Sequence, residues 1–146
     1  MKKILVILLA VMLTMIRTAA PALSESEEEK PMLRMKINDT PVEVDWEDNE
    51  SVAALKELAA DGLTIRMSMY GGFEQVGAIG ESLPSRDEQT SASSGDIVLY
   101  SGDQLVVFYG RNAWAYTRLG HITDKTPEEM RELLGNGDVT ITLSVE

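Results

Sequence analysis

Apolar and polar residues alternate with a period of two through several separate stretches of this chain. In Leu33-Arg34-Met35-Lys36-Ile37 the apolar side chains fall on one side and the two cations on the other. Leu63, Ile65, Met67 and Met69 repeat the pattern against Thr64, Arg66, Ser68 and Tyr70, and Val139 to Val145 repeats it again. Successive residues of a strand point to opposite faces, so each stretch reads as a strand with one buried and one solvated face. Strands of this kind are stable only when their apolar faces share an interior.

The punctuation between the strands is equally legible. Asn38-Asp39 is turn chemistry, and Pro41 to Trp46 alternates after it, which makes a hairpin. Asn49 is placed to cap a helix over Glu50 to Ala60, with Val52, Leu55, Leu58 and Ala59 as its apolar stripe and Gly62 after its end. Gly71-Gly72 separates the strand Leu63 to Tyr70 from a short one over Phe73 to Ile79. Gly80 to Gly95 reads as a long polar loop. Asp96 to Tyr100 and Gln104 to Tyr109 form a hairpin around Ser101-Gly102-Asp103, Gly110 to Ala113 reads as a connection, and Tyr116 to Ile122 as a strand. Thr126-Pro127-Glu128-Glu129 is a capping box that opens a helix through Met130, Leu133 and Leu134. Eight strands joined mostly by short turns are antiparallel. The expected fold is mainly β: a closed eight-stranded antiparallel barrel with two capping α-helices, with an open sandwich as the competing architecture.

The beginning of the chain reads differently. Met1-Lys2-Lys3 is basic, Ile4 to Ile16 is an apolar run of roughly 13 residues, and Ala20 and Ala22 are small. A membrane-spanning helix needs about 20 apolar residues, so this layout reads as a secretory signal peptide over residues 1–22, cleaved before Leu23, with an uncleaved membrane anchor as the alternative. Residues 23–31 are an acidic linker, and 32–146 are the domain. The protein is expected to be exported, secreted or held in the periplasm or cell envelope, with no membrane anchor after cleavage, and to be a monomer.

Composition excludes several functions. With 13 Lys+Arg against 24 Asp+Glu the formal charge is −11, which opposes nucleic acid and anionic lipid alike. Having no cysteine, the chain has no disulfide, thiolate metal site or thiol nucleophile. His121 is the sole histidine, and Gly80-Glu81-Ser82-Leu83-Pro84 lacks the last glycine of a serine-hydrolase elbow. One histidine and scattered carboxylates give no metal set, and Gly77-Ala78-Ile79-Gly80 is not a dinucleotide fingerprint. Neither metal nor cofactor is expected.

The aromatic residues stand out instead. Of eight, five fall between Tyr100 and Tyr116: Tyr100, Phe108, Tyr109, Trp114 and Tyr116. Such rings give large contact area at small entropic cost, so the run reads either as core or as a binding groove. Trp114, placed in a connection, is the best groove candidate. Glu74, beside Phe73, is a candidate pocket carboxylate with Arg66 or Arg118 as partner.

Several stretches together resemble the bacterial cyclophilin-like domain family: Tyr70-Gly-Gly-Phe-Glu-Gln-Val-Gly77, Ser82-Leu-Pro84, Gly95-Asp-Ile-Val-Leu-Tyr100, Val107-Phe-Tyr-Gly110 and Trp114-Ala-Tyr-Thr-Arg-Leu-Gly120. The resemblance covers Leu33 to Val145. It implies the cyclophilin-like fold, in a family whose members largely lack an assigned activity. True cyclophilins are peptidyl-prolyl isomerases, and the resemblance implies a corresponding set here of Arg66, Phe73, Gln75, Phe108 and Trp114. In such a site the arginine donates to the prolyl nitrogen and weakens a partial double bond whose barrier is ~18–20 kcal/mol. The Gln-Gly-Gly-Asp stretch of true cyclophilins is absent. Three functions follow. The first is a module binding a small ligand or extended peptide through Tyr70, Phe73, Glu74, Tyr109, Trp114 and Arg118. The second is a prolyl isomerase, and the third an interaction domain without ligand.

Overall fold

A computed structural model describes residues 30–146. The signal peptide expected over 1–22, and all but the last two residues of the linker expected over 23–31, lie outside the described residues. The domain forms eleven strands and two helices among the described residues. In chain order these are β1 (Leu33–Ile37), β2 (Thr40–Val42), β3 (Val44–Trp46), α1 (Glu50–Leu58), β4 (Leu63–Arg66), β5 (Ser68–Tyr70), β6 (Glu74–Ala78), β7 (Glu88–Ala92), β8 (Asp96–Tyr100), β9 (Gln104–Phe108), β10 (Asn112–Ile122), α2 (Pro127–Leu134) and β11 (Thr140–Val145).

The expected closed barrel is not formed. The strands make two open sheets, a smaller one in the order β2-β1-β11-β4 and a larger one in the order β3-β10-β8-β9-β6-β5, with β7 also paired to β10. The reason is that two of the alternating runs are each divided between the sheets. Pro41 to Trp46 breaks at Glu43, so that β2 pairs with β1 while β3 pairs with β10. Leu63 to Tyr70 breaks at Met67, so that β4 pairs with β11 while β5 pairs with β6. At the break the Met67 N–H donates to the Val139 carbonyl at 2.8 Å and the Met69 N–H to Asp138 Oδ1 at 3.0 Å, which turns the chain off β11. Each run thus carries the chain from one sheet to the other, and among the described residues no pairing closes a ring.

The crossing is tight against β6. A Cβ placed on Gly77 would collide with the Arg66 carbonyl oxygen and lie 2.7 Å from Met67 Sδ and 2.9 Å from Ile65 Cγ2. Only a residue without a side chain lets the β4–β5 segment lean here.

The main core draws on both sheets and both helices. Leu33, Met35, Ile37, Ile141 and Leu143 come from the smaller sheet, and Ile97, Leu99, Leu105 and Val107 from the larger. Leu55 of α1 and Met130 and Leu134 of α2 complete it. Each large side chain removed from water contributes roughly 1.5–3 kcal/mol. The Asn49 side chain accepts the Val52 N–H at 2.9 Å, as its capping role requires, and donates to the Arg118 carbonyl at 3.0 Å, which ties α1 to β10. In α2 the capping box closes as read from the sequence: Glu129 N–H to Thr126 Oγ1 at 3.1 Å, and Thr126 N–H to Glu129 Oε1 at 2.8 Å.

A second apolar cluster, Ala92, Val98, Val106, Phe108 and Tyr116, involves the other face of the larger sheet. Two further departures from the sequence reading bear on it. The polar segment Gly80 to Gly95 contains β7, and β10 begins at Asn112, so Trp114 sits within a strand opposite Thr90 and not in a connection. Backbone pairing between β7 and β10 accounts for both.

Substituting Gly77→Val is expected to lower stability by about 1–3 kcal/mol through overpacking against a backbone carbonyl. A urea unfolding curve with a lower midpoint and an unchanged slope is the expected reading.

Candidate functional site

Strand alternation sorts the side chains of the larger sheet. In the β6–β9–β8 register Val76, Val106 and Val98 lie abreast on the outer face, while Gly77, Leu105 and Leu99 lie abreast on the inner one. Tyr70, Glu74 and Phe108 form a second outer row. The outer face is therefore where apolar floor, aromatic side chains and a carboxylate meet.

Phe73 is set in place by backbone. Its carbonyl accepts the N–H groups of both Tyr109 and Gly110 at 2.9 Å. This close approach needs the bare Cα of Gly110, since a Cβ there would lie 2.8 Å from Phe73 Cβ. From Phe73 an aromatic series runs across the face. Tyr70 stands edge-on to Phe73 at 6.1 Å, Phe73 stacks on Phe108 at 6.4 Å, Phe108 meets Tyr116 edge-on at 5.6 Å, and Tyr116 meets Tyr100 at 6.2 Å. These are favourable ring geometries. Phe108 is fully buried beneath the others, whereas Trp114 is 57% exposed and Tyr70 62% exposed.

Together they enclose a groove of about 680 Å³. Tyr70, Phe73, Tyr100, Trp114 and Tyr116 supply its aromatic lining, Val76 and Val106 its aliphatic floor, and Glu74, Ser101, Asp103, Gln104 and Asn112 its polar groups. Glu74 is only 6% exposed, and burial pushes its carboxyl from 4.5 up to about 7. Burial also holds the Tyr116 hydroxyl above its ordinary value, against the lowering effect of a 2.8 Å hydrogen bond from Asn112 Nδ2, with Glu74, Tyr100 and Tyr70 adding to the rise.

Of the residues singled out in the sequence, Tyr70, Phe73, Glu74 and Trp114 line this groove together, and Phe108 belongs to the cluster beneath it. The others lie elsewhere. Tyr109 is buried in the main core. Gln75, one residue from Glu74, is fully buried and donates through Nε2 to the carbonyls of Leu134 at 2.8 Å and Gly137 at 2.7 Å, so it anchors the end of α2. Arg66 lies on β4 of the smaller sheet, exposed and outside the groove. Arg118 contacts Asp96 at 3.0 Å and lines a neighbouring cleft beyond Tyr116. Among the described residues neither arginine pairs with Glu74. The set inferred for isomerisation is therefore not assembled at one place.

Tyr100 and Tyr116 belong to the aromatic run noted in the sequence, but their place in the groove follows from the pairing of β8 with β10. Asp103 and Asn112 carry no sequence signal of their own; the β8–β9 turn and the β7–β10 pairing bring them to the groove.

The chain belongs to the cyclophilin-like family, whose model matches residues 35–144. Its fold is similar to that of a hypothetical protein from Archaeoglobus fulgidus determined in solution, with a TM-score of 0.54 and 18% identity, over 82% of this chain and 98% of that one. No curated protein matches it.

Glu74 gives stability a pH dependence of definite sign. The folded chain holds the carboxyl proton up to about 7, the unfolded chain only to about 4.5. Between these values the folded state binds more protons, so the contribution is full below 4.5 and is lost as pH rises through 7. Relative to Glu74→Gln, which does not ionise, the wild type is expected to lose stability across that window and run parallel to it above. Denaturant unfolding of both proteins across the window is the check.

Proposed function

We propose that the domain is a binding module that takes a small organic ligand in the groove on the outer face of its larger sheet. The observation that carries this reading is the convergence of five aromatic residues around one cavity of about 680 Å³. Ligand sites are commonly concave, largely apolar and roughly 300–1,000 Å³ in volume, with a few polar groups to fix orientation. The groove offers no guanidinium to a prolyl nitrogen, so isomerisation is not the reading it supports.

An extended peptide is a second form of the same reading, and β5 favours it. This strand ends the larger sheet beside the groove, and Ser68, Met69 and Tyr70 are all exposed to a peptide lying along them, the Met69 N–H being taken by Asp138 Oδ1.

The reading includes export. Its support is the basic start, the short apolar run and the small residues before Leu23. Mass spectrometry of the protein recovered from outside the cytoplasm is expected to give Leu23 as the first residue; an intact Met1 terminus overturns cleavage.

Tryptophan fluorescence tests binding directly. Trp46 lies away from the groove, half-buried, with its Nε1–H donating to the Leu33 carbonyl at 3.0 Å. A Trp46→Phe variant leaves Trp114 as the reporter. Titration with a library of small aromatic and amine compounds and extended peptides is expected to shift its emission, and Trp114→Ala is expected to weaken binding about tenfold or more, as loss of an aromatic contact implies. A library that leaves Trp114 emission unchanged overturns the reading.

A further inference from the structure

We propose that the ligand is an organic cation, an alkylammonium or quaternary ammonium group seated among the rings with Glu74 as its counter-charge; this rests on the binding-module reading above. The electrostatics of the lining select the sign of the charge. The groove presents two carboxylates, Glu74 and Asp103, and no lysine, arginine or histidine. Aromatic faces are negative, and a cation over one gains roughly 0.5–2 kcal/mol, more as water is excluded. An anionic ligand meets repulsion from both sources.

A neutral apolar ligand leaves Glu74 unexplained. The residue is only 6% exposed and lies in register between Tyr70 on one strand and Phe108 on the other. A desolvated carboxylate is costly unless a positive group accompanies it, and among the described residues it forms no ion pair. The titratable and polar groups around it are Tyr70 on β5, Tyr100 on β8, Asp103 in the β8–β9 turn, and Asn112 and Tyr116 on β10, none of them cationic. Without a cation the carboxyl meets that cost by keeping its proton, and a positive charge that lets it ionise in the groove can come only from the ligand. A bare metal ion fits poorly, because two carboxylates in an aromatic setting do not replace its hydration shell. A soft, weakly hydrated ammonium with alkyl substituents matches both the rings and the carboxylate.

The charge also couples binding to protonation. In the empty groove burial keeps the proton on Glu74 up to about pH 7. An entering cation favours the ionised form and expels that proton, so affinity for a fixed cation rises with pH through this range.

The test compares choline with 3,3-dimethylbutan-1-ol, which has the same shape without the charge, by isothermal titration calorimetry on wild type, Glu74→Gln and Trp114→Ala. Choline is expected to bind at least about tenfold more tightly than the alcohol, to lose that advantage in Glu74→Gln, and to weaken about tenfold or more between about pH 8 and about pH 5. Should Glu74→Gln fail to fold, the ratio of the two affinities in wild type decides. Choline and the alcohol binding equally, both lost in Trp114→Ala, overturns the cation and leaves the module reading standing. Binding of neither overturns the cation, and the module reading then depends on the fluorescence titration alone.

Discussion

Strands β8 and β9 are buried on both faces, and this double burial gives the domain two interiors. Ile97, Leu99, Leu105 and Val107 face the helices and the smaller sheet. Val98, Val106 and Phe108 face the other way, under a thinner cover of aromatic rings. A sheet with one solvated face would have no floor for a groove. Here the outer face is already apolar, and the rings of Phe73, Tyr100 and Tyr116 partly cover it without sealing it. The groove is what remains where that cover is incomplete.

Glu74 is intelligible only against that background. On a solvated face it would be an ordinary surface carboxylate. Placed across from Phe108 and Tyr70 it loses water on most sides, and its proton becomes hard to remove. Its neighbour Gln75, pointing inward, uses a polar side chain for a different end: two backbone carbonyls near the end of α2 need donors inside the core, and Gln75 supplies them. Adjacent residues thus serve the two interiors separately, one holding the fold together and the other charging the groove.

Much of this was written in the alternation of the chain, and the failures have physical causes. Period two states which side chains share a face, and Leu33 to Ile37 and Val139 to Val145 behaved accordingly. It does not state which strand pairs with which. The run Leu63 to Tyr70 keeps its alternation through Met67 even though the hydrogen-bonding partner changes from β11 to β6 there, so a single long strand and a closed barrel were the natural inference. Strand β7 carries no period-two signal because Glu88-Gln89-Thr90-Ser91-Ala92 has almost no apolar face; its backbone pairing with β10 holds it. The same blindness to pairing placed Trp114 in a loop. Phe108 and Tyr109 are adjacent, so alternation sends only one of them to the outer face. The choice depended on which face of the sheet met the helices, a property of the whole topology. Glu74, Phe73, Tyr70 and Trp114 are legible because they are unusual residues near glycines, a local signal.

The separation of the two interiors has an evolutionary corollary. Exposed groove residues such as Trp114 and Tyr70 project outward and carry little of the packing between the sheets and helices. Natural variation is freer to replace them than to touch Leu99 or Leu105. One backbone can therefore carry differently lined outer faces after few substitutions, and a shared scaffold at 18% identity testifies to the fold alone.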